Sequence, residues 1–265
     1  MDAAVVASIA YAARTHFRQR YYANDHSRDT VVVEPHAMPL ADGRAEPPRL
    51  EREGFCLVPH VSRVGNFEDH DEVADRHPAE IVDLLLSLTG ADNVLVTSPG
   101  ILRFSERTGR AGSLNNSMPA RFAHVDTTAD TARRFAERSL PPGWPARRHA
   151  HFNVWRAFSG QPQDVPLACC DTRSVKPADL LVADAIFDEP DGREWGFESW
   201  LVAHNPAHRW VWFPDMTRDE VIVFHTSDSA GGMAVPHVAF DHSACPADAR
   251  PRASIEMRAV AYWFA

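Results

Sequence analysis

The sequence predicts a mainly β protein, a sandwich or barrel of short strands with a few helices packed on its outside. Three observations lead to this prediction. The β-branched or alternating apolar segments are short and separated by turns, and few segments show helical spacing. The chain also carries 20 Pro against only 13 Gly among 265 residues, which indicates rigid turns and irregular connections. No internal repeat of fixed period is visible.

In the first half of the chain, apolar and β-branched segments predict strands at residues 30–35, 55–59, 93–97 and 100–104. Residues 77–88 carry apolar side chains at helical spacing and are followed by Gly90, which predicts a helix with a C-terminal stop. The Ala-rich residues 1–20 are interpreted as a helix or an irregular arm. Residues 105–117 are rich in Gly, Asn, Ser and charge and are predicted to form a mobile loop, either a lid over a site or a plain surface loop.

In the second half, Thr128 is placed to cap a helix over residues 129–140, which a Pro-rich segment ends. Further apolar segments predict strands at 150–156, 167–171, 180–183, 200–204, 210–214, 219–225 and 251–263. We interpret residues 1–265 as one domain with a substantial core, in which about residues 1–90 pack around the β core.

Composition excludes some classes of partner. The net charge is −9, from 27 basic and 36 acidic residues without a basic run, which disfavours nucleic acid and anionic membranes. The four cysteines include no Cys-x-x-Cys pair, which fits a reducing compartment and predicts a cytoplasmic protein. The N-terminus lacks the basic region of a signal peptide, and no apolar run approaches the roughly 18 residues of a membrane span.

The clearest candidate for chemistry is the pair His124 and Asp126, which apolar residues flank within the segment 121–128. On a strand or at its end, side chains two residues apart point to the same side. An imidazole and a carboxylate aimed into one cavity supply two of the three ligands of a 2-His-1-carboxylate site for Fe(II). Because short motifs arise by chance, a buried hydrogen-bonded pair is the alternative until a third ligand is found.

Two histidines compete to be the third ligand. His237 lies in the apolar segment 235–240, and His225 ends the predicted strand 219–225. Both are near strand ends, so position on a strand alone leaves both open.

The predicted strand 251–263 has two different faces. Its odd positions are apolar, whereas its even positions begin with Arg252, Ser254, Glu256 and Arg258. A charged face usually points to water. In a small barrel that encloses a ligand, however, such a face can line the cavity.

These residues reproduce the pattern His-x-Asp…His…Arg-x-Ser, in which the chain resembles the Fe(II)- and 2-oxoglutarate-dependent oxygenases. Over about residues 31–265 it resembles, more specifically, the CmcJ/AsaB family, which groups the cephamycin 7-hydroxylase component with fungal hydroxylase/desaturase tailoring proteins. The similar segments keep their order along the chain: 50–55, 88–91, 121–126, 151–156, 204–210 and 252–256.

The resemblance implies a double-stranded β-helix (a cupin-like jelly roll) with flanking helices, and a site that uses Fe(II), 2-oxoglutarate and O₂. The implied metal ligands, which are also the catalytic residues, are His124, Asp126 and His237, because an Arg-x-Ser run follows His237 rather than His225 at the more plausible distance. Arg252 and Ser254 would hold the distal carboxylate of 2-oxoglutarate. The gap before Arg252 is longer than in many members, which leaves Arg258 as the alternative anchor.

The family's activity implies a small, natural-product-type substrate that is hydroxylated or desaturated, with succinate and CO₂ as co-products. Asp126 disfavours a halogenase, in which a small residue stands at that place. Arg103, Asn153 and Arg156 lie on strands predicted to line the cavity and are the candidates for substrate binding.

Two other functions stay open at this point. One is a cupin-like, metal-dependent isomerase or hydrolase, which could use the same ligands but would not need Arg252. The other is an accessory subunit of a two-component system, because the cephamycin family member works beside a methyltransferase component. A homodimer and a partner tailoring enzyme are both compatible with the sequence.

Overall fold

A computed structural model describes residues 5–231 and 234–264. Within these ranges the chain forms fifteen strands, two α-helices and short 3₁₀ turns, so the predicted mainly β class is confirmed. The strands are β1 Val5–Ala12, β2 Gln19–Tyr22, β3 Val33–Asp42, β4 Phe55–Pro59, β5 Asn93–Val96, β6 Ile101–Phe104, β7 His124–Val125, β8 Ala146–Ala157, β9 Leu167–Cys170, β10 Leu180–Asp188, β11 Glu194–Val202, β12 Trp210–Trp212, β13 Glu220–Asp228, β14 His237–Ala239 and β15 Ala253–Phe264. The helices are α1 His70–Thr89 and α2 Ala129–Ser139. None of the helices in the described ranges is long and apolar enough to cross a membrane.

The described strands form two sheets. One has nine strands in the order β1-β3-β12-β9-β14-β7-β11-β10-β2, and the other has the order β4-β13-β8-β15-β5, with β6 also pairing with β15. Their inner faces share one apolar cluster, in which Trp155 and Phe224 of the smaller sheet pack with Leu167 and Cys169 of the larger. The space between the two sheets is therefore the interior of the molecule, and β7 and β14 lie at the middle of the larger sheet.

The N-terminal region contributes strands to both sheets. The interpretation of residues 1–20 as a helix or an irregular arm is wrong for the described part, because β1 and β2 are strands; residues 1–4 lie outside the described ranges. In β1, Ile9 and Tyr11 are fully buried, whereas Ser8, which precedes Ile9, is exposed. This alternation has the two-residue period of a strand. Because many of these residues are Ala, the sequence shows no clear alternation of apolar and polar side chains here. β1 pairs with β3 at the edge of the larger sheet, and β4 pairs with β13 in the smaller one.

Helix α1 covers the outer face of the smaller sheet. Ile81 and Leu85 of α1 pack against Met257 and Ala261, two of the apolar odd positions of β15. The helix starts earlier than predicted, at His70, with the side chain of Asp69 capping its first turn, and Pro78 lies inside it. From the sequence alone, Pro78 suggests that the helix starts later, because Pro is favoured in the first turn of a helix.

The even positions of β15, and Arg252 directly before the strand, consequently point into the interior. Arg252, Ser254 and Glu256 are buried, at 1%, 0% and 4% exposure, and Arg258 is half-buried. The charged face of this strand therefore lines the space between the sheets rather than meeting water.

Candidate active site

Two adjacent strands at the centre of the larger sheet bring the predicted metal ligands together. His124 on β7 and His237 on β14 are direct register partners, and Asp126 follows β7. All three side chains are buried, and one ligand atom from each lies within 4.8 Å of those of the others. Among the described residues this is the one cluster of at least three His, Cys, Asp or Glu side chains with such spacing.

The backbone orients both imidazoles. Nδ1 of His124 lies 2.9 Å from the Phe122 carbonyl oxygen, and Nδ1 of His237 lies 3.1 Å from that of Val235. A carbonyl oxygen only accepts hydrogen bonds, so each Nδ1 carries the proton and each Nε2 keeps its lone pair. The two Nε2 atoms each lie 4.0 Å from an Asp126 carboxylate oxygen, and they face the centre of the cluster.

Two residues of the smaller sheet hold the Asp126 carboxylate from the opposite side. The amide of Asn153 donates to Oδ2 at 2.6 Å, and the guanidinium of Arg258 donates to Oδ1 at 2.9 Å. Burial alone would raise the pKa of Asp126, but Arg258 and the two imidazoles lower it below its usual range. The carboxylate is therefore ionised at neutral pH.

The donor set fits a divalent transition metal. Burial, with repulsion from His237, lowers the pKa of His124 to about 3, and burial also lowers the pKa of His237. Both imidazoles are thus neutral when Asp126 is ionised, which is the protonation state that metal binding requires. Two neutral imidazoles and one carboxylate on a buried, one-sided site are the ligands of a non-haem Fe(II) oxygenase centre.

Arg252 enters the same narrow cavity with a free guanidinium edge. The cavity is lined by the triad of predicted metal ligands, His124, Asp126 and His237, together with Trp155, Arg252 and Arg258. Nη1 of Arg252 donates to the Val165 carbonyl oxygen at 2.7 Å, whereas its buried Nε has no hydrogen-bond partner in the described ranges. Burial, with repulsion from Arg103 and Arg121, lowers its pKa to about 9. A buried cation with an unused donor is placed to receive a carboxylate.

Arg258 already pairs with two carboxylates, in contrast to Arg252. Besides its bond to Asp126, its Nε donates to Glu256 at 3.0 Å. Burial lowers the pKa of Arg258, but Asp126 and Glu256 outweigh it and raise the pKa above the ordinary value. This favours Arg252 over Arg258 as the co-substrate anchor. Ser254 is buried beside them and donates to the Arg103 carbonyl oxygen at 3.3 Å.

Two of the three predicted substrate contacts lie at the site, and the third does not. Asn153 is at the site because its amide donates a hydrogen bond to Asp126. Arg103 is at the site because it lines the narrow cavity. The structure does not bring Arg156 there. Its guanidinium bonds to the carbonyl oxygens of His60 and Arg218 under the 60–67 segment, because alternate residues of β8 point to opposite faces. Our interpretation of Arg156 as a substrate contact is therefore replaced by a structural role.

His225 is also outside the triad. It is buried on β13 with its ring against Phe152 at 4.3 Å, and burial lowers its pKa to about 4. The spacing of the described residues thus selects His237 as the third member of the cluster.

Two larger cavities border Asp126 and Arg258. One has a volume of about 250 Å³ and is lined by Tyr21, Arg103 and Phe122 among others. The second, of about 690 Å³, lies beside Asn153, His151 and helix α2. Phe187, Asn116 and Phe197 line both cavities and so stand between them.

The β10–β11 hairpin supplies an aromatic wall that the sequence analysis missed. Phe187 stacks on Trp195 at 4.4 Å between ring centroids, and Phe197 packs beside both. A signal was present, because Trp195 and Phe197 stand two apart between charged residues, as on one face of a strand. Glu189 accepts from Trp195 Nε1 at 3.1 Å and from Asn115 at 3.3 Å. The segment 105–117, predicted as a loop, is thereby bonded to this wall.

Comparison with known proteins gives the family. A family model described as an oxidoreductase/YMDC permease-like domain matches residues 9–262. The chain is 31% identical to the hydroxylase/desaturase efuI of Hormonema carpetanum, over 81% of this chain and 78% of that protein. It is 30% identical to the hydroxylase/desaturase CTB9 of Cercospora beticola, over 81% and 72%. With the Fe(II)/2-oxoglutarate-dependent dioxygenase nvfI of Aspergillus novofumigatus it shares 28% identity, over 86% and 84%.

Solved structures support the fold. The iron and alpha-ketoglutarate-dependent endoperoxidase NvfI superposes with a TM-score of 0.85 over 100% of both chains, at 22% sequence identity. At that identity the likeness shows the fold alone, and it confirms the double-stranded β-helix.

The chain belongs to this oxidoreductase family, beside the hydroxylase/desaturases and the Fe(II)/2-oxoglutarate-dependent dioxygenases. It is an Fe(II)- and 2-oxoglutarate-dependent dioxygenase that takes O₂ as its other co-substrate. The comparisons support a family of the predicted kind; the narrower CmcJ/AsaB assignment stays a prediction.

Proposed function

We propose that this dioxygenase hydroxylates or desaturates a small, natural-product-type molecule, with succinate and CO₂ as co-products. The observation that carries the proposal is the meeting of His124, Asp126 and His237 with the free edge of Arg252 in one narrow cavity. An isomerase or hydrolase on the same fold would need the metal ligands but not the buried cation.

The residues of this chain have separate tasks in that reaction. His124 and His237 offer neutral Nε2 donors, and Asp126 offers one carboxylate oxygen while Asn153 and Arg258 keep the group in place. When bound there, Fe(II) together with 2-oxoglutarate and O₂ supplies the oxidising power that removes a substrate hydrogen atom.

The co-substrate and substrate would occupy different spaces. Arg252, with Ser254 beside it, would fix the distal carboxylate of 2-oxoglutarate by charge-assisted hydrogen bonds. The cavities of about 250 Å³ and 690 Å³ both reach Asp126, so a substrate in either lies beside the metal ligands. The aromatic wall of Phe187, Trp195 and Phe197 would exclude water and pack against apolar rings.

Succinate formation tests this proposal. The chain is incubated with Fe(II), 2-oxoglutarate, ascorbate and O₂, and succinate is measured by mass spectrometry. We expect His237→Ala to abolish succinate formation, since it removes a metal ligand. His225→Ala is the matched control, another buried histidine on a strand, and should keep the activity. Activity that survives in His237→Ala and vanishes in His225→Ala would contradict the assignment.

We further propose that the protein works in the reducing cytoplasm on a small molecule, without nucleic acid or a membrane, and that a homodimer and a partner tailoring enzyme are both compatible with it. All four cysteines are free, and burial raises the pKa of Cys170 to about 12, which keeps its thiol protonated and unreactive. Light scattering of the purified chain would decide between a monomer and a homodimer. Co-purification of a methyltransferase would instead indicate a two-component system.

A further inference from the structure

Arg103 on β6 is half-buried and is, after Arg252, a second guanidinium at this site without a carboxylate partner. Its Nη1 donates to the carbonyl oxygens of Asn116 and Met118 at 3.1 and 2.6 Å, and to the Asn116 side chain at 3.2 Å. These partners are neutral, and no ion pair within the described ranges involves Arg103. The acidic residues that share its narrow cavity, Asp126 and Glu256, are both bonded to Arg258 instead.

The position of Arg103 differs from that of Arg252. Both line the narrow cavity that holds the metal ligands. Arg103 alone of the two also lines the neighbouring cavity of about 250 Å³, with His124 and Asp126. The lining of that cavity also includes the aromatic side chains of Tyr21, Phe122 and Phe197. Its other ionisable side chains already have partners, since His26 and Asp29 pair with each other at 3.2 Å and Arg121 pairs with Glu106 and Asp241.

The charged side chains that line the narrow cavity do not balance. Three guanidinium groups, of Arg103, Arg252 and Arg258, face two carboxylates, of Asp126 and Glu256, which leaves a surplus of one positive charge. A divalent metal and the dianion 2-oxoglutarate cancel one another, so the surplus remains when both are bound. A buried charge without a partner is costly, and a bound anion removes that cost.

We propose that the substrate of this enzyme carries a carboxylate group, which Arg103 binds in the cavity of about 250 Å³, on an apolar or aromatic body that packs against Phe122 and Phe197. The inference rests on the proposed function and adds the chemical class of the substrate. Arg252 is left for 2-oxoglutarate, and Arg258 for Asp126, so each of the three cations has one task. A carboxylate bound at Arg103 lies beside His124 and Asp126, which places the attached carbon atoms next to the metal ligands.

Benzoate and benzamide are the probes that test this, since they share a ring and differ in charge. The full chain is loaded with Zn(II) and saturating 2-oxoglutarate, and each probe is titrated by calorimetry. We expect benzoate to bind on the order of tenfold more tightly than benzamide, as a charge-assisted pair with a guanidinium should give. In Arg103→Gln this preference should disappear while the dissociation constant of 2-oxoglutarate is unchanged.

Arg156→Gln is the matched control. Arg156 is buried and, like Arg103, bonded to backbone carbonyl oxygens, but it lies away from the cavities, so its loss should leave the benzoate preference intact. Because Arg103 also anchors Asn116 and Met118, Arg103→Lys is measured in parallel; it keeps the charge, loses the bidentate geometry and should retain part of the preference. Circular dichroism confirms that each variant is folded.

Two outcomes would overturn the inference. Equal binding of benzoate and benzamide to the wild-type chain would show that the cavity does not select anions. A large rise in the 2-oxoglutarate dissociation constant in Arg103→Gln would assign Arg103 to the co-substrate instead. If 2-oxoglutarate itself fails to bind the metal-loaded wild-type chain, the proposed function fails, and that result is separate from the comparison of the two probes.

Discussion

At the scale of single residues, Arg252, directly before β15, and Arg258, within it, line the same narrow cavity but differ in their partners. Arg258 bonds to Asp126 and Glu256, whereas Arg252 bonds to a backbone carbonyl oxygen and keeps Nε unused. The order of motifs along the sequence predicts both as candidate anchors. It does not decide between them, because Asp126, one of the two carboxylates that Arg258 binds, lies 132 positions away in the chain.

Arg252→Gln should therefore raise the dissociation constant of 2-oxoglutarate by roughly tenfold or more, the effect of losing hydrogen bonds to a charged group. Metal affinity should change little, since Arg252 makes no bond to the triad. Calorimetric titration of the metal-loaded chain with 2-oxoglutarate gives the first value, and titration of the metal-free chain with Fe(II) under anaerobic conditions gives the second.

Arg258→Gln is the contrasting variant. Loss of its bond to Asp126 should weaken metal binding by about 10- to 100-fold, as for other groups that orient metal ligands. If Arg258→Gln instead removes 2-oxoglutarate binding and Arg252→Gln does not, the anchor has been assigned to the wrong arginine.

Residue patterns in the sequence predicted the metal cluster but not its supporting contacts. His124, Asp126 and His237 were predicted because they belong to a recurring order of residue types. The bond from Asn153 to Asp126 joins different sheets and has no local signature. The role of Arg156 was misjudged because the face of β8 that meets the site was not known from sequence.

At the scale of elements, helix α2 begins directly after the metal-binding strand. Thr128 caps the helix, with its Oγ1 accepting from the Thr131 amide at 3.2 Å, and this cap was predicted from sequence. Capping depends on neighbouring residues, which is why it is readable locally. The strand nature of β1 was not, since it depends on pairing with β3 and on burial of Ile9 and Tyr11.

Thr128→Ala should lower the free energy of unfolding by about 1 kcal/mol, the usual cost of losing a helix cap. It should also weaken Fe(II) binding modestly, because the first turn of α2 follows Asp126 after two intervening residues. Urea denaturation and a metal titration measure the two effects. Thr128→Ser keeps the hydroxyl and should behave like the wild type; equal stability of the Ala variant would show that the cap contributes nothing.

At the scale of the whole molecule, buried histidines make stability depend on pH. Burial lowers the pKa values of His151 and His225 to about 4 from 6.5. Between these values the unfolded chain binds protons that the folded chain does not, so the free energy of unfolding falls as pH falls. Each histidine contributes at most about 1.4 kcal/mol per pH unit in that window.

We therefore expect the unfolding temperature to be lower at about pH 5 than at about pH 7, as differential scanning calorimetry would show. His225→Gln removes one of these titrating groups and should reduce the difference. A transition temperature that is unchanged, or that rises as the pH is lowered, would be inconsistent with neutral buried imidazoles.

The central claim for the whole molecule is that one interior site binds Fe(II) and 2-oxoglutarate together. An anaerobic titration of the metal-free chain with Fe(II) and then 2-oxoglutarate tests it most directly. We expect a weak visible charge-transfer band that appears only when both are present and disappears on admission of O₂, with succinate formed. Binding of Fe(II) without that band, or the absence of Fe(II) binding, would contradict the account.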